Sequence, residues 1–265
     1  MSIRLVAVDL DDTLLDNNTA VSLRTRQAIQ TAIEQGVTVT VATGRMYPSA
    51  LPYARQLKLD VPIITYNGAM ITACLSEKRL YYRPLDYAVA CQVLELFRER
   101  GWYIQSYVND VLYVREKNDR TRRYEKAAGV TAREIGDKLY RPPVAPTKML
   151  VIAEPERLDE IRETVKSMFG ERLYVANSKS IYLEIAHSTV NKGRALAFLT
   201  DQLHINRQEV MAVGDSINDL DMIEYAGWGV AMGNGADAVK EAAQAVTLRN
   251  DEDGVAAAIE KYVLR

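Results

Sequence analysis

The sequence contains little cysteine and no large excess of charge of either sign. Its two cysteines, Cys74 and Cys91, lie far apart and lack the close spacing of a metal-binding pair. This argues against a disulfide framework and a cysteine-ligated zinc site, and it favours a reducing compartment. Lys and Arg (33) nearly balance Asp and Glu (35), which leaves a net charge of −2. No overall electrostatic field therefore indicates a nucleic acid or an anionic membrane as a partner.

Long apolar runs are also missing from the sequence. No uncharged apolar segment approaches the ~18 residues of a membrane-spanning helix. The N-terminus turns acidic after one short apolar run and shows no small-residue cleavage pattern. We therefore expect a cytoplasmic protein without a membrane partner. Its 265 residues, 48% of them hydrophobic, can bury the core of one large domain or two modest ones.

Short β-branched apolar runs alternate with helical patterns near both ends of the chain. Strands are predicted over 3–9, 37–42, 62–65, 209–213 and 228–231, and helices from near Ser22 to Gly36 and over 48–58, 192–203, 217–225 and 237–243. This alternation predicts an α/β fold with a doubly wound parallel sheet and right-handed crossovers.

The pattern changes between about Pro84 and His187. A helix is predicted over 86–100, Asn109-Asp110 between two β-rich runs predicts a hairpin, and the stretch 172–185 predicts another. These elements are typical of an antiparallel α+β unit. We therefore predict that residues 84–188 form an inserted second domain, and that residues 1–83 and 189–265 together form the core.

The stretch "VDLDDTLLD" (8–16) places four carboxylates directly after the first predicted strand. Ligands of parallel α/β sheets bind beyond the carboxyl ends of the strands, where Asp9 and Asp11 are expected. Crowded carboxylates are costly there unless a cation lies among them, and hard oxygen ligands of this kind suit Mg²⁺. Taken alone, Asp11, Asp12 and Asp16 also fit the roles of turn formers and helix caps.

Polar residues follow other predicted strands as well. In "VATGR", the Thr43 hydroxyl and the amides around Gly44 are suited to hold a phosphate oxygen. Lys192 opens a helix, where the helix dipole disfavours a cation, so it is interpreted as a counter-charge for an anion, with a solvated surface lysine as the alternative. The stretch "MAVGDSINDLDM" repeats the acidic strand end with Asp215, Asn218 and Asp219.

In this order, "DLDDTL", "VATGR", "NKG" and "GDSIND" resemble the four motifs of the haloacid dehalogenase superfamily of aspartate-nucleophile phosphohydrolases. "TYNGA" (65–69) and "GVAMGNG" (229–235) are similar to its Cof-type sugar-phosphatase branch, and this resemblance covers the whole chain. Only 31 residues separate Asp11 from Thr43, whereas 148 separate Thr43 from Lys192, so the second gap holds the insertion. This fits the mixed α/β cap (C2-type) of that branch. Asp12 stands where the family commonly has Gly, and we expect it to tolerate a left-handed backbone.

The resemblance implies a Mg²⁺-dependent phosphatase that hydrolyses small phosphomonoesters, with sugar phosphates as the expected class. Asp9 would be the nucleophile that becomes an aspartyl phosphate, and Asp11 the acid–base partner, whose backbone carbonyl also binds the metal. The implied phosphate-binding groups are the amides of Leu10 and Gly44 and the side chains of Thr43, Lys192 and Asn218. The implied metal site comprises Asp9, Asp11, Asp215 and Asp219. Two alternative roles for Asp219 are to anchor Lys192 or a metal-bound water.

Two other function classes remain open at the level of the sequence. A phospho-receiver module also combines acidic residues, a Thr and a Lys at strand ends, but the large insertion and the D-x-D pattern argue against it. A non-catalytic sugar-phosphate binder is disfavoured by the intact Asp9 and Asp11. The expected partner is a small phosphomonoester, the expected oligomeric state is a monomer or a weak homodimer, and the insertion is expected to select the organic part of the substrate.

Overall fold

The computed structural model describes residues 2–264, which form two compact units. The first unit contains residues 2–45, 50–81 and 191–264, and the second contains residues 46–49 and 82–190. The predicted limits of the insertion, 84 and 188, lie two residues inside the second unit at each end. The short segment 46–49 groups with the second unit, which no feature of the sequence predicts.

The strands and helices are numbered here in chain order. The strands are β1 (Leu5–Val8), β2 (Thr38–Val41), β3 (Pro62–Thr65), β4 (Met70–Ala73), β5 (Arg79–Tyr82), β6 (Gln105–Val108), β7 (Val111–Val114), β8 (Ala132–Glu134), β9 (Lys148–Ile152), β10 (Leu173–Lys179), β11 (Tyr182–His187), β12 (Val210–Gly214), β13 (Trp228–Ala231) and β14 (Ala245–Val246). The helices are α1 (Leu23–Glu34), α2 (Tyr47–Gln56), α3 (Tyr87–Arg100), α4 (Asp119–Ala128), α5 (Pro155–Phe169), α6 (Lys192–Gln202), α7 (Leu220–Tyr225), α8 (Asp237–Ala242) and α9 (Gly254–Tyr262). Within residues 2–264, no helix has the length and apolar character needed to cross a bilayer.

A five-stranded parallel sheet forms the centre of the first unit. Its strand order is β14-β13-β12-β1-β2, and Val8 at the end of β1 lies between Val41 of β2 and Val213 of β12. The central strands β1 and β12 are apolar and buried on both faces, as expected where helices cover both sides of such a sheet. The predicted doubly wound α/β core is therefore confirmed.

The strand β3 has the predicted bounds but lies outside this parallel sheet. It belongs to a three-stranded sheet, β3-β4-β5, and a single bridge between Ala42 and Ile64 links it to the end of β2. The chain reverses immediately after β3 in a tight turn in which Asn67 has a φ of 56°. The returning strands β4 and β5 were not predicted, and neither were β14 and α9. The parallel sheet therefore ends at β2 and lacks the further strand that the sequence pattern indicates at this edge.

Helix ends follow local capping chemistry. The hydroxyl of Ser22 accepts a hydrogen bond from the Thr25 amide at the start of α1, and Gly36, with a φ of 84°, follows its end. In α3, the Asp86 carboxylate caps the first turn and Gly101 ends the helix in the left-handed region. These are the residues that favour helix starts and stops, which is why the beginnings and ends of these helices were predictable.

The second unit is built on a six-stranded sheet with the order β10-β11-β9-β6-β7-β8. Both predicted hairpins, β6-β7 and β10-β11, are present and antiparallel. The two-residue turn of the first hairpin places Asn109 and Asp110 at φ values of 50° and 58°, as this turn type requires. The helices α3 and α5 pack with Met149, Val151 and Leu183 in one apolar core.

Two helices of the first unit approach each other closely at Gly193 of α6. A Cβ added at Gly193 would lie 2.2 Å from the backbone carbonyl oxygen of Asp221 in α7. That atom cannot move without displacing the α7 backbone. This position follows directly after Lys192, so its packing also affects where the lysine side chain begins.

Replacing Gly193 by Ala should destabilise the protein by about 2–4 kcal/mol, because the new methyl group collides with backbone. The sign of the change in unfolding free energy is informative, because a Gly→Ala change in a helix interior normally stabilises a protein by roughly 0.5–1 kcal/mol. Urea unfolding measures the effect, and the exposed neighbour Arg194→Ala is the matched control. An unchanged or higher unfolding free energy for Gly193→Ala would contradict this packing.

Candidate active site

The predicted site residues Asp9, Thr43 and Asp215 lie at the carboxyl ends of three adjacent strands. Asp9 follows β1, Asp215 follows β12, and Thr43 lies two residues beyond β2. The Asp9 amide donates to the Val213 carbonyl oxygen at 3.0 Å, so the parallel hydrogen-bond pattern continues one residue past β1. Neighbouring parallel strands end at the same edge, which brings these side chains together.

The ammonium group of Lys192 lies between two carboxylates. Its Nζ donates to Asp9 Oδ1 and to Asp219 Oδ1, each at 2.6 Å, and the side chain is fully buried. Burial alone would lower the pKa of Lys192, but Asp219 and Asp9 raise it above the usual value, so the group is charged. The alternative of a solvated surface lysine is thereby excluded.

Asp219 uses both of its oxygens within the protein. Oδ1 accepts from Lys192, and Oδ2 accepts from the backbone amides of Asp215 and Ser216, each at 3.0 Å. Of the roles that the sequence left open, this arrangement favours an anchor for Lys192. It also fixes the turn that carries Asp215.

Three carboxylates form a cluster suited to a cation. Asp9, Asp215 and Asp219 each offer an oxygen atom within 4.8 Å of the other two. Burial raises the pKa of Asp9 well above its ordinary value, and burial together with Asp219 raises the pKa of Asp215 to about 7. Lys192 is the only cationic side chain bonded to this cluster among residues 2–264, so the three carboxylates, when ionised, carry two negative charges in excess. A hard divalent cation such as Mg²⁺ fits this set of oxygen donors and this charge.

Thr13 supports the cluster although the sequence did not single it out. Its hydroxyl donates to Asp215 Oδ1 at 2.8 Å, and the residue is 1% exposed. This hydrogen bond to the charged form lowers the pKa of Asp215 and partly opposes the effect of burial. Thr13 lies within the "DLDDTL" motif, but nothing in that motif indicates a partner 202 residues away.

Asp11 lies outside the cluster and pairs with Arg45. The Nε and Nη2 atoms of Arg45 donate to the two Asp11 oxygens at 2.9 and 2.6 Å. Burial would lower the pKa of Arg45, but the Asp11 carboxylate raises it, so the guanidinium stays charged. Arg45 is the last residue of "VATGR" and was not predicted as a site residue. The proposed binding of metal by the Asp11 carbonyl stays a prediction.

Asn67 lies next to two of the predicted phosphate-binding residues, Gly44 and Asn218. It was not predicted from the sequence. A Cβ at Gly44 would lie 2.8 Å from Asn67 Oδ1, so a larger residue here would displace the Asn67 side chain. The same Asn67 oxygen accepts a hydrogen bond from Asn218 Nδ2 at 3.2 Å. Thr43 is fully buried, and its hydroxyl accepts from the Arg45 amide at 3.1 Å. Leu10, also fully buried, opens the turn that follows Asp9.

Asp12 adopts the backbone conformation expected of the residue that stands where Gly is common. Its φ is 59° and its ψ is 8°, in the left-handed region that Asp tolerates better than most residues. The Asn234 side chain donates to the Asp12 carbonyl oxygen at 2.7 Å and holds this turn. Asp12 therefore has the left-handed backbone that was expected of it, and the prediction that it causes little harm stays a prediction.

Comparison with known proteins gives matches over nearly the whole chain. A family model described as haloacid dehalogenase-like hydrolase matches residues 6–259. Two Bacillus subtilis proteins named 5-amino-6-(5-phospho-D-ribitylamino)uracil phosphatase are similar: YcsE is 34% identical over 100% of this chain and 97% of its own, and YitU is 32% identical over 97% of both. A solved structure from Thermotoga maritima superimposes with a TM-score of 0.89 at 34% identity, covering 98% of this chain and 97% of the other. The resemblance stated from the four motifs is confirmed.

The raised pKa of Asp215 predicts how stability depends on pH when metal is chelated. An acid whose pKa is higher in the folded than in the unfolded state binds more protons when folded, so the unfolding free energy falls as pH rises from about 4 to about 7. We expect a loss on the order of 1–3 kcal/mol across that window. Mg²⁺ should restore stability near pH 7.5 and have little effect near pH 5, where Asp215 is protonated and no longer attracts the cation.

Urea unfolding with and without chelator measures this dependence. Asp215→Asn is the informative variant, because it removes the titrating group and should flatten the pH dependence and weaken the response to Mg²⁺. Asp237→Asn, which makes the same change of charge at the start of α8, is the control and should behave like the wild type. Equal stabilisation by Mg²⁺ at both pH values would rule out this cluster as the cation site.

Proposed function

Because the chain belongs to the haloacid dehalogenase-like hydrolases and is a phosphatase, we propose that it hydrolyses small phosphomonoesters, with Mg²⁺ as cofactor, through an aspartyl phosphate on Asp9. The observation that carries this proposal is the contact between Asp9 and Lys192. A buried carboxylate at a strand end, held by one ammonium and surrounded by further carboxylates, is suited to covalent attack on an anionic group. A phospho-receiver or a non-catalytic binder would not need an acid–base group two residues later.

In the proposed mechanism Asp9 attacks phosphorus, the bond to the ester oxygen breaks, and the phosphoryl group passes to the Asp9 carboxylate. Water then hydrolyses the aspartyl phosphate and regenerates Asp9. Lys192, which contacts Asp9, and the amides near Gly44 would stabilise negative charge on the transferred group. Asp9 and Asp215 would hold Mg²⁺, whose positive charge would keep the carboxylates ionised and offset charge on the phosphoryl oxygens.

Asp11 is the proposed acid–base partner. It would donate a proton to the leaving alkoxide and later accept one from the hydrolytic water. In the structure its two oxygens are both engaged by Arg45. Because both oxygens accept hydrogen bonds from Arg45, the pair must open before Asp11 carries a proton. Arg45 would then be available for the phosphoryl oxygens, which it can bind in the same bidentate manner.

We infer the class of substrate from the names of the relatives and from the side chains of the second unit. The names of YcsE and YitU specify a phosphorylated ribityl chain, which is rich in hydroxyl groups. We take the substrate of this chain to be a phosphomonoester of a polyhydroxylated carbon chain, as in sugar phosphates. The side chains that act on phosphorus would contact only the phosphoryl group. Every phosphomonoester has this group, so these side chains cannot select such a carbon chain.

The second unit contains a hydrogen-bonded network of the kind that recognises hydroxyl groups. Gln105, Tyr107, Lys148 and Glu184 lie on one side of its sheet, opposite the apolar core, and Tyr124 of α4 joins them; these five residues are the polar face. Tyr107 donates to the Tyr124 hydroxyl at 2.5 Å, and Lys148 donates to Glu184 at 3.1 Å. We assign substrate selection to this polar face.

Asp9→Asn should lower turnover of an aryl phosphate by at least ~10³-fold while the protein stays folded, because the amide cannot form the covalent intermediate. Asp12→Asn is the matched control, since it makes the same change of charge at an exposed position whose left-handed backbone Asn tolerates. Steady-state phosphate release and circular dichroism measure the two properties. Near-wild-type turnover of rigorously purified Asp9→Asn would refute the nucleophile assignment.

Tyr124→Phe should lower kcat/KM for a hexose phosphate and for the ribitylaminouracil phosphate by about tenfold, since one lost hydrogen-bonding group is worth roughly 1–1.5 kcal/mol. The value for a small aryl phosphate should stay unchanged, because this substrate has no hydroxyl groups to recognise. Tyr113→Phe is the control, because Tyr113 faces the apolar core of the same sheet. An equal loss on all three substrates would place the selection outside the polar face and leave the proposed chemistry intact.

A further inference from the structure

A cavity of about 410 Å³ lies within the second unit, away from the polar face. Its walls are mainly apolar and include Val108, Tyr113, Leu139 and Pro142. Volumes of this size are typical of small-molecule sites. Each lining residue belongs to the second unit, and no candidate active-site residue is among them.

The cavity contains a buried hydroxyl group at Ser106. This residue pairs with Tyr113 on one side and Met149 on the other, so it shares the sheet face that carries the apolar core. Ser106 is 1% exposed, and within residues 2–264 its Oγ has no hydrogen-bond partner. A buried hydroxyl without a partner is unfavourable, and an alanine would pack at this position without that penalty. The hydroxyl is therefore suited to bond a group that enters the cavity.

The charged residues that line the cavity are both cationic. They are Lys138 and Arg141, and no Asp or Glu lies among the lining residues that the structure describes. The segment that carries them is held in place: the Arg141 amide donates to the Lys138 carbonyl oxygen at 3.1 Å, and the Pro142 carbonyl oxygen accepts from the Tyr87 hydroxyl at 3.1 Å. This arrangement favours an anionic group on the ligand.

From the apolar walls, the buried hydroxyl and the cationic pair, we infer that this cavity binds a small molecule with an apolar body and one anionic group. The body contacts Tyr113 and Leu139, a polar atom of the ligand bonds Ser106 Oγ, and the anionic group meets Lys138 and Arg141. This ligand class differs from the hydroxyl-rich phosphomonoesters of the proposed reaction. The inference holds whether or not that reaction is confirmed.

The fluorescent probe 8-anilinonaphthalene-1-sulfonate has such a body and one sulfonate, and N-phenyl-1-naphthylamine has the same body without the charge. The sulfonate should bind the full chain saturably with one molecule per chain, and about tenfold more tightly than the neutral amine. Fluorescence titration with both probes measures this difference. The absence of a saturable single site for the sulfonate would overturn the inference.

Two variants test the assignment of residues. The double variant Lys138→Gln, Arg141→Gln should weaken binding of the sulfonate about tenfold and leave binding of the neutral amine unchanged. The control Lys126→Gln, Arg133→Gln removes the same charge from exposed positions of the second unit that do not line the cavity. Ser106→Val, which fills part of the cavity and removes the hydroxyl, should weaken both probes without loss of folding. Equal effects of the two double variants, or unaltered binding of both probes to Ser106→Val, would place the probe elsewhere.

Discussion

The buried ammonium of Lys192 is the interaction on which the site depends. It joins Asp9, which follows the first strand, to Asp219, which lies 210 residues later in the chain. Without it, these fully buried carboxylates would face each other and Asp215 with no counter-charge. Removing one partner of a buried ion pair commonly costs about 3–5 kcal/mol, because the other charge stays buried and unpaired. The close approach at Gly193 places the start of α6 where the lysine reaches both carboxylates.

The two acidic residues of the D-x-D pattern have different surroundings although only Leu10 separates them. Asp9 is buried next to Lys192 and other carboxylates, and burial raises its pKa. Asp11 is more than one-third exposed at its side chain and is engaged by the Arg45 fork. Different environments of this kind would let two chemically identical carboxyl groups take the two roles proposed for them, one as a nucleophile and one in proton transfer.

The parts of the site that the sequence predicts are those encoded in local patterns. Asp9, Thr43 and Asp215 each follow a β-branched apolar run, and parallel strands bring such positions to one edge. Thr13, Arg45 and Asn67 were missed, because each is defined by a partner distant in the sequence rather than by its neighbours. The hydrogen bond from Asn218 to Asn67 joins residues that are 151 positions apart, and the hydrophobic pattern of the sequence cannot predict such a contact. The sheet β3-β4-β5 was missed for a related reason, since a left-handed Asn67 reverses the chain where the apolar pattern simply continues.

The proposed chemistry and the proposed selectivity rest on different kinds of residue in this chain. In the proposed reaction the motif residues would act on a phosphoryl group, a cation and a water, which every phosphomonoester reaction shares, so that chemistry constrains their identity and short stretches of sequence predict them. The polar face and the Ser106 cavity lie on opposite sides of one sheet in the second unit, where neighbouring residues of a strand point in opposite directions. Gln105 and Ser106 are adjacent in sequence yet belong to a hydrogen-bonded network and to an apolar-walled cavity, respectively. The strands paired beside these two residues decide the surroundings of each, so the ligands proposed for this unit are inferred from its tertiary structure and not from a motif.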